Sequence, residues 1–174
     1  IQFLAETQRQ VMLSESELQG TSYIRQLHRV QDTVIRGWLI ADMAEIGNAS
    51  TSMELQQTLV LMRAEIDALV TLDGQVGAAL QTGGPYADLR AAADGVIAEP
   101  GNADQWIALD LSVRQLIDEV GNTSNLILDP DLDTYYLMDV SVLRVPMIRS
   151  VTAEQIGAAV ASSTGGIDAV AEHE

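Results

Sequence analysis

Residues 2–46 hold none of the four prolines, and their apolar positions recur at threes and fours through Leu4, Val11, Leu18, Leu27, Val34 and Met43. That is the period of one helix face, sustained for about 40 residues and roughly 60 Å of rise. Gly20 and Gly37 weaken such a helix locally, by about 1 kcal/mol each relative to alanine. A rod of this length therefore needs external support, because helices draw most of their stability from the faces they pack. Gly47 in "GNAS" is a natural C-cap, so the first helix is expected to stop there.

The remaining chain repeats the pattern. Ser50, Thr51 or Ser52 can cap a second helix, and Thr51 with Glu54 has the capping-box spacing. Its apolar row runs through Leu55, Leu59, Met62, Ile66, Leu69, Leu72, Val76 and Leu80 to "TGGP" at 82–85. A short Ala-rich helix is expected over 86–98. A fourth begins after Asn102, follows Trp106, Leu109, Val113, Leu116, Ile117 and Val120, and is followed as far as Leu128. A fifth opens near Leu132, contains Pro146 and loses its pattern at "SSTGG", 162–166. Period-2 alternation never persists long enough for a strand. The expected fold is one all-α domain over 1–174, an elongated antiparallel up-down helical bundle with four long helices and one short helix. Both chain ends are expected on the same side of it.

Composition narrows the function. The formal charge is −16, and the nine basic residues are all arginine, scattered singly. Such a chain offers no basic patch to a nucleic acid. It has no cysteine, which excludes disulfides and thiol chemistry. Phosphate-binding glycine loops and nucleophile elbows are missing as well, so the fragment itself is not expected to be an enzyme, and no cofactor is expected.

The most particular stretch is "NTSNLILDPDLDTYYLMDV", 122–140. Asp129, Asp131 and Asp133 alternate as the first ligands of a calcium loop do. The sixth position, however, is Thr134 and not Gly, and the twelfth is Val140 and not Glu. The run reads instead as a helix corner, with no metal. Pro130 disfavours helical geometry at Asp129. Asp131 caps the helix that opens at Leu132, and Asp133 adds first-turn negative charge. Tyr135 and Asp139 share a face four residues apart. Arg144 and Arg149 follow at steps of five, off that face, so little pairing along this helix is expected. The Tyr135, Tyr136 and Asp139 cluster either fixes the corner or holds a ligand.

Other residue types carry less. Trp38 and Trp106 read as packing residues and not as a stacking platform. Arg36 beside Gly37 is either an anion ligand or a surface arginine paired with a carboxylate. His28 and His173 are the only histidines and lie far apart, which gives no zinc spacing.

Two stretches resemble a known family. "ELQGTSYIRQLHRVQDTVIRG", 17–37, and "NTSNLILDPDLDTYYLMDVSVLRVP", 122–146, are similar to the helical periplasmic sensing domains of bacterial transmembrane histidine kinases and methyl-accepting chemoreceptors. The second stretch is the specific one. In the first, Gly20, Tyr23, Leu27, Arg36 and Gly37 fit, whereas Gln26 stands where proline is common and Ile35 where histidine is common. Together they cover about a quarter of the chain.

The resemblance implies an extracytoplasmic signal-sensing domain of a two-component sensor histidine kinase, which transmits a stimulus by helix displacement. The alternatives are the ligand-binding domain of a chemotaxis receptor, or a structural or protein-interaction helical domain. It implies a periplasmic location in an inner-membrane protein, with membrane helices before residue 1 and after residue 174. The partner would be a small solute or a periplasmic binding protein, and the full-length receptor a homodimer. Phe3, Val11 and Ile35 on the first helix suggest the dimer face. The expected entry point for the signal lies between the first and last long helices, near Tyr23, Arg36, Tyr135, Tyr136 and Asp139. Arg36 would favour an anionic solute, and the tyrosines would flank its apolar part.

Overall fold

A computed structural model describes residues 2–44, 49–126 and 139–171. Helix α1 spans Gln2–Ala44, α2 Ala49–Val76, α3 Gly83–Ala98, α4 Ala103–Thr123 and α5 Val145–Ala171. A π-helical stretch, Asp139–Arg144, leads directly into α5. The chain is an all-α up-down bundle of four long helices and one short one, with no strand among the described residues.

Helix α1 is 43 residues long, roughly 64 Å, and is the spine of the molecule. Its inward row of Tyr23, Leu27, Val30, Val34, Trp38 and Ala41 is buried against α2, α4 and α5. Across it, α2 contributes Leu59, Met62, Ile66 and Leu69, and α4 contributes Trp106, Val113, Leu116, Ile117 and Val120. Both tryptophans belong to this core, as their spacing predicts.

Two glycines of α1 mark where α4 crosses it. A Cβ on Gly20 would collide with Ser124, and one on Gly37 with the indole of Trp106. Their cost in helix propensity is thus offset by a closer approach of the two helices.

Element ends follow local chemistry. Asn102 caps α4, its side chain accepting from the Asp104 amide at 3.0 Å. Helix α2 stops at Val76, short of the expected Leu80, because Gly77 is followed by a turn in which Gln81 takes φ 55°. Helix α3 opens at Gly83, earlier than expected, and holds Pro85 in its first turn, where a missing N–H costs nothing. Pro146 likewise occupies the first turn of α5. The π-helical stretch just before it accommodates the shift in hydrogen-bond register that this proline imposes. Gly47, the Asp129–Asp133 corner, Tyr135, Tyr136 and His173 lie outside the described residues.

Helix direction corrects the expectation for the chain ends. Gln31 of α1 meets Pro146 and Ser150, and Asp32 meets Arg149. Farther along α1, a Cβ on Gly157 would collide with Asp42. Residue numbers rise together on both helices, so α1 and α5 run parallel. Short α3 makes a full traverse, which leaves five up-down elements, and an odd number places the ends at opposite poles. Gln2 lies about 44 Å from the Gln31 level in one direction, and Ala171 about 32 Å from the Ser150 level in the other.

A second correction concerns the membrane. No helix among the described residues is long and apolar enough to cross one. Charged residues interrupt α1 and α2 throughout, and the second half of α5 is mostly Gly, Ala, Ser and Thr with few larger apolar residues and one aspartate, too weakly apolar for a span. The expected character of a membrane-embedded, transmembrane receptor is not carried by these helices.

Candidate functional site

The buried polar chemistry of this bundle is concentrated where α1, α4 and α5 meet. Asp110, only 2 % exposed, sits in the apolar row of α4. Its Oδ1 accepts from Gln31 Nε2 of α1 at 3.0 Å, and its Oδ2 from Ser150 Oγ of α5 at 2.7 Å. Arg114, one turn along α4, donates its Nε to Oδ2 at 3.0 Å. Gln31 Nε2 also lies 3.2 Å from the Pro146 carbonyl. One carboxylate thus ties together three helices, and its charge is offset by a partly exposed guanidinium and two neutral donors.

Satisfaction is incomplete along the adjoining α1–α5 seam. Gln31 Oε1, His28 Nε2 and Arg149 Nη1 are buried without a hydrogen-bond partner. Arg149 Nη1 does lie 3.0 Å from Asp32 Oδ1, but off the N–H direction, so the contact is ionic and not a hydrogen bond. Burial, followed by the nearby Arg149 charge, lowers the His28 pKa, with Asp32 opposing, and the imidazole is neutral at pH 7.

Beside Arg149 the seam opens into a cleft of about 270 Å³. Asp32, Ile35 and Leu39 line it from α1, and Ile148, Arg149, Thr152, Ala153 and Ile156 from α5. It is an apolar trough with one cation and one carboxylate at its lower end.

The sequence-predicted residues are distributed differently. Tyr23 is 0 % exposed, and its hydroxyl donates to Asp73 Oδ1 at 2.6 Å. Thr82 Oγ1 donates to the same oxygen at 2.6 Å. Tyr23 therefore locks α1 to the α2–α3 corner. Arg36 is exposed and does not line the cleft, although its neighbour Ile35 does. Asp139 accepts from Arg144 Nε at 2.5 Å in the π-helical stretch. That pairing corrects the expectation drawn from α-helical spacing, because the wider π turn brings residues five apart onto one face. Tyr23, Arg36 and Asp139 do not converge, and Tyr135 and Tyr136 lie outside the described residues.

Burial, followed by the hydrogen bond to Asp73 and its charge, drives the Tyr23 pKa far above that of a free phenol. In the unfolded chain the phenol ionises near pH 10. The folded value is the raised one, so stability is full below about pH 10 and falls as pH rises beyond it. Tyr23→Phe is expected to cost about 1 kcal/mol at pH 7. It should also flatten the decline between pH 9 and 11, as read from urea midpoints at each pH.

Asp110, Gln31 and Ser150 were missed, yet two of them leave a trace in the sequence. Asp110 falls on the row Trp106, Val113, Ile117 and Val120, and Gln31 on the row Leu27, Val34 and Trp38. A polar residue on an otherwise apolar helix face is the signal. Among the described residues no group of histidine, aspartate and glutamate side chains is arranged to hold a metal ion.

Comparison of the chain with protein-family models, with curated proteins and with solved structures found no match in any of the three.

Proposed function

We propose that this bundle is a signal-input domain in which a stimulus at the α1–α5 seam displaces one of these parallel helices along the other. The observation that carries the reading is the seam itself. Three buried polar atoms without partners and an open apolar cleft lie together there, beside a π-helical stretch. A contact packed this incompletely has room for a second register, and packed helices shift in small discrete steps. The resemblance of 17–37 and 122–146 to sensing domains of histidine kinases supports the same reading, and an extracytoplasmic setting with kinase output is what that resemblance adds. Helix α5, which would carry the displacement outward, continues about 32 Å past the level of Ser150.

The second reading is a protein-interaction bundle without an input site. Leu18 is 69 % exposed, and Val11 and Met12 are also exposed on the part of α1 that precedes the core. These side chains suit a second copy of the chain or another helical partner.

Because the chain has no cysteine, paired spin labels can be placed cleanly on exposed Arg29 of α1 and Glu154 of α5. The input reading expects two distance populations, separated by an ångström or more, whose ratio changes with conditions. A single narrow distance in all conditions, accompanied by self-association that Leu18→Ser abolishes, establishes the interaction reading instead.

A further inference from the structure

We propose that the cleft between α1 and α5 is a binding site for a small unbranched monocarboxylate of about hexanoate size, its carboxylate on Arg149 and its tail along Ile35, Leu39, Ala153 and Ile156. The inference rests on the input reading above and names the chemistry of its stimulus.

Shape comes first. From Arg149 to Ile156 the trough follows two turns of α5, about 10 Å. Its volume of about 270 Å³ lies at the small end for ligand sites. A trough two turns long takes an extended chain, and its walls away from Arg149 are isoleucine, leucine and alanine, with the hydroxyl of Thr152 the one polar group among them. The tail is therefore aliphatic.

The head group follows from Arg149. Its Nη1 is shielded from solvent yet makes no hydrogen bond, and Asp32, the charge nearest to it, meets it off-axis. The Asp32 side chain is 62 % exposed, so it can return to water when displaced. A free carboxylate can approach the guanidinium along its N–H directions and accept two parallel bonds, which the tethered Asp32 does not achieve. An amine is disfavoured because the one carboxylate that could receive it, Asp32, is already paired with the Arg149 cation beside it. A simple inorganic anion would leave the apolar walls wet. The formal charge of −16 works against every anion, so recognition has to be local, through Arg149.

Isothermal titration of the 174-residue chain with hexanoate, hexan-1-ol and acetate tests both halves of the site. Hexanoate is expected to bind saturably at one site, with hexanol and acetate each weaker by on the order of tenfold. Arg149→Met should weaken hexanoate by on the order of tenfold or more while leaving hexanol unchanged. Asp32→Asn, at a side chain that is 62 % exposed, should strengthen hexanoate several-fold by removing the competing carboxylate. Hexanol binding as tightly as hexanoate, or hexanoate affinity unaltered by Asp32→Asn and Arg149→Met alike, overturns the proposal. So does the absence of hexanoate binding at millimolar concentration. In that last case two spin-label distances across the seam would preserve the input reading with a different stimulus, and one distance would end both.

Discussion

Asp110→Ala is expected to lower the unfolding free energy of the bundle by about 3 kcal/mol, among the largest effects of any single polar substitution here. Removing the carboxylate strips acceptors from Gln31, Ser150 and Arg114 at once. The fallback of each partner limits the damage. Gln31 keeps the Pro146 carbonyl at 3.2 Å, and Ser150 Oγ can turn to the same carbonyl at 3.1 Å. Arg114 is one-third exposed and reaches water. Asp110→Asn should fall between the wild type and alanine, because its amide NH₂ would face donors where a carboxylate oxygen now accepts. Urea denaturation of the three proteins at pH 7, compared at constant m-value, gives the ranking. If Asp110→Ala were neutral, the cluster would not bind the three helices together. A further comparison separates stability from specificity. Gln31→Leu/Asp110→Leu/Ser150→Ala replaces the three buried members of the cluster with apolar groups, leaves the partly exposed Arg114 to water, and is expected to recover most of the loss. The same triple variant should then show whether the spin-label distances across the α1–α5 seam depend on this network.

The contrast between Asp110 and the residues picked from sequence shows what a linear reading can hold. The long α1 rod, the start of α4 after Asn102, the tryptophan core and the up-down order were legible because each depends on local periodicity or a nearby turn. Direction across the bundle was not. The parallel course of α1 and α5 depends on short α3 making a full traverse, and nothing in its Ala-rich residues says whether it lies across the bundle or along it. The Asp139–Arg144 pair was hidden for a related reason: spacing was read at the α period, whereas Pro146 and the π-helical stretch change the period locally. Tyr23 looked available because a tyrosine has a polar tip, but that tip faces Asp73 in the interior. The cleft could not be read at all. Ile35, Leu39, Ile148 and Ile156 are ordinary members of apolar rows, and only the offset between two helices makes them a trough. Arg149 and His28 gain their interest from hydrogen bonds that they do not make.

Gly37→Ala is expected to cost about 3 kcal/mol, at the upper end of what overpacking by one methyl group does. On an exposed helix face the same change would be stabilising by up to about 1 kcal/mol, because alanine is the better helix former. The sign reverses here because Gly37 is buried and the new Cβ would overlap three atoms of the Trp106 ring, Cζ3, Cη2 and Cε3. The ring has little freedom to retreat. It is 0 % exposed, and its Nε1–H donates to the Pro100 carbonyl at 2.8 Å, which pins the indole to the α3–α4 turn. Relief therefore requires α4 to move away from α1, and that movement would also stretch the Asp110–Gln31 bond one turn farther along. Trp106→Phe alone removes part of a large buried side chain and should be destabilising as well. Combined with Gly37→Ala, the smaller ring leaves room for the methyl group, so the two losses should not add. A coupling of about 1–3 kcal/mol in the rescuing direction is expected from the double-mutant cycle. Thermal and urea unfolding of the four proteins measures it. Strict additivity would mean that α1 and α4 do not meet at Gly37 as closely as the bundle requires, and the register of α4 against the α1–α5 seam would have to be redrawn with it.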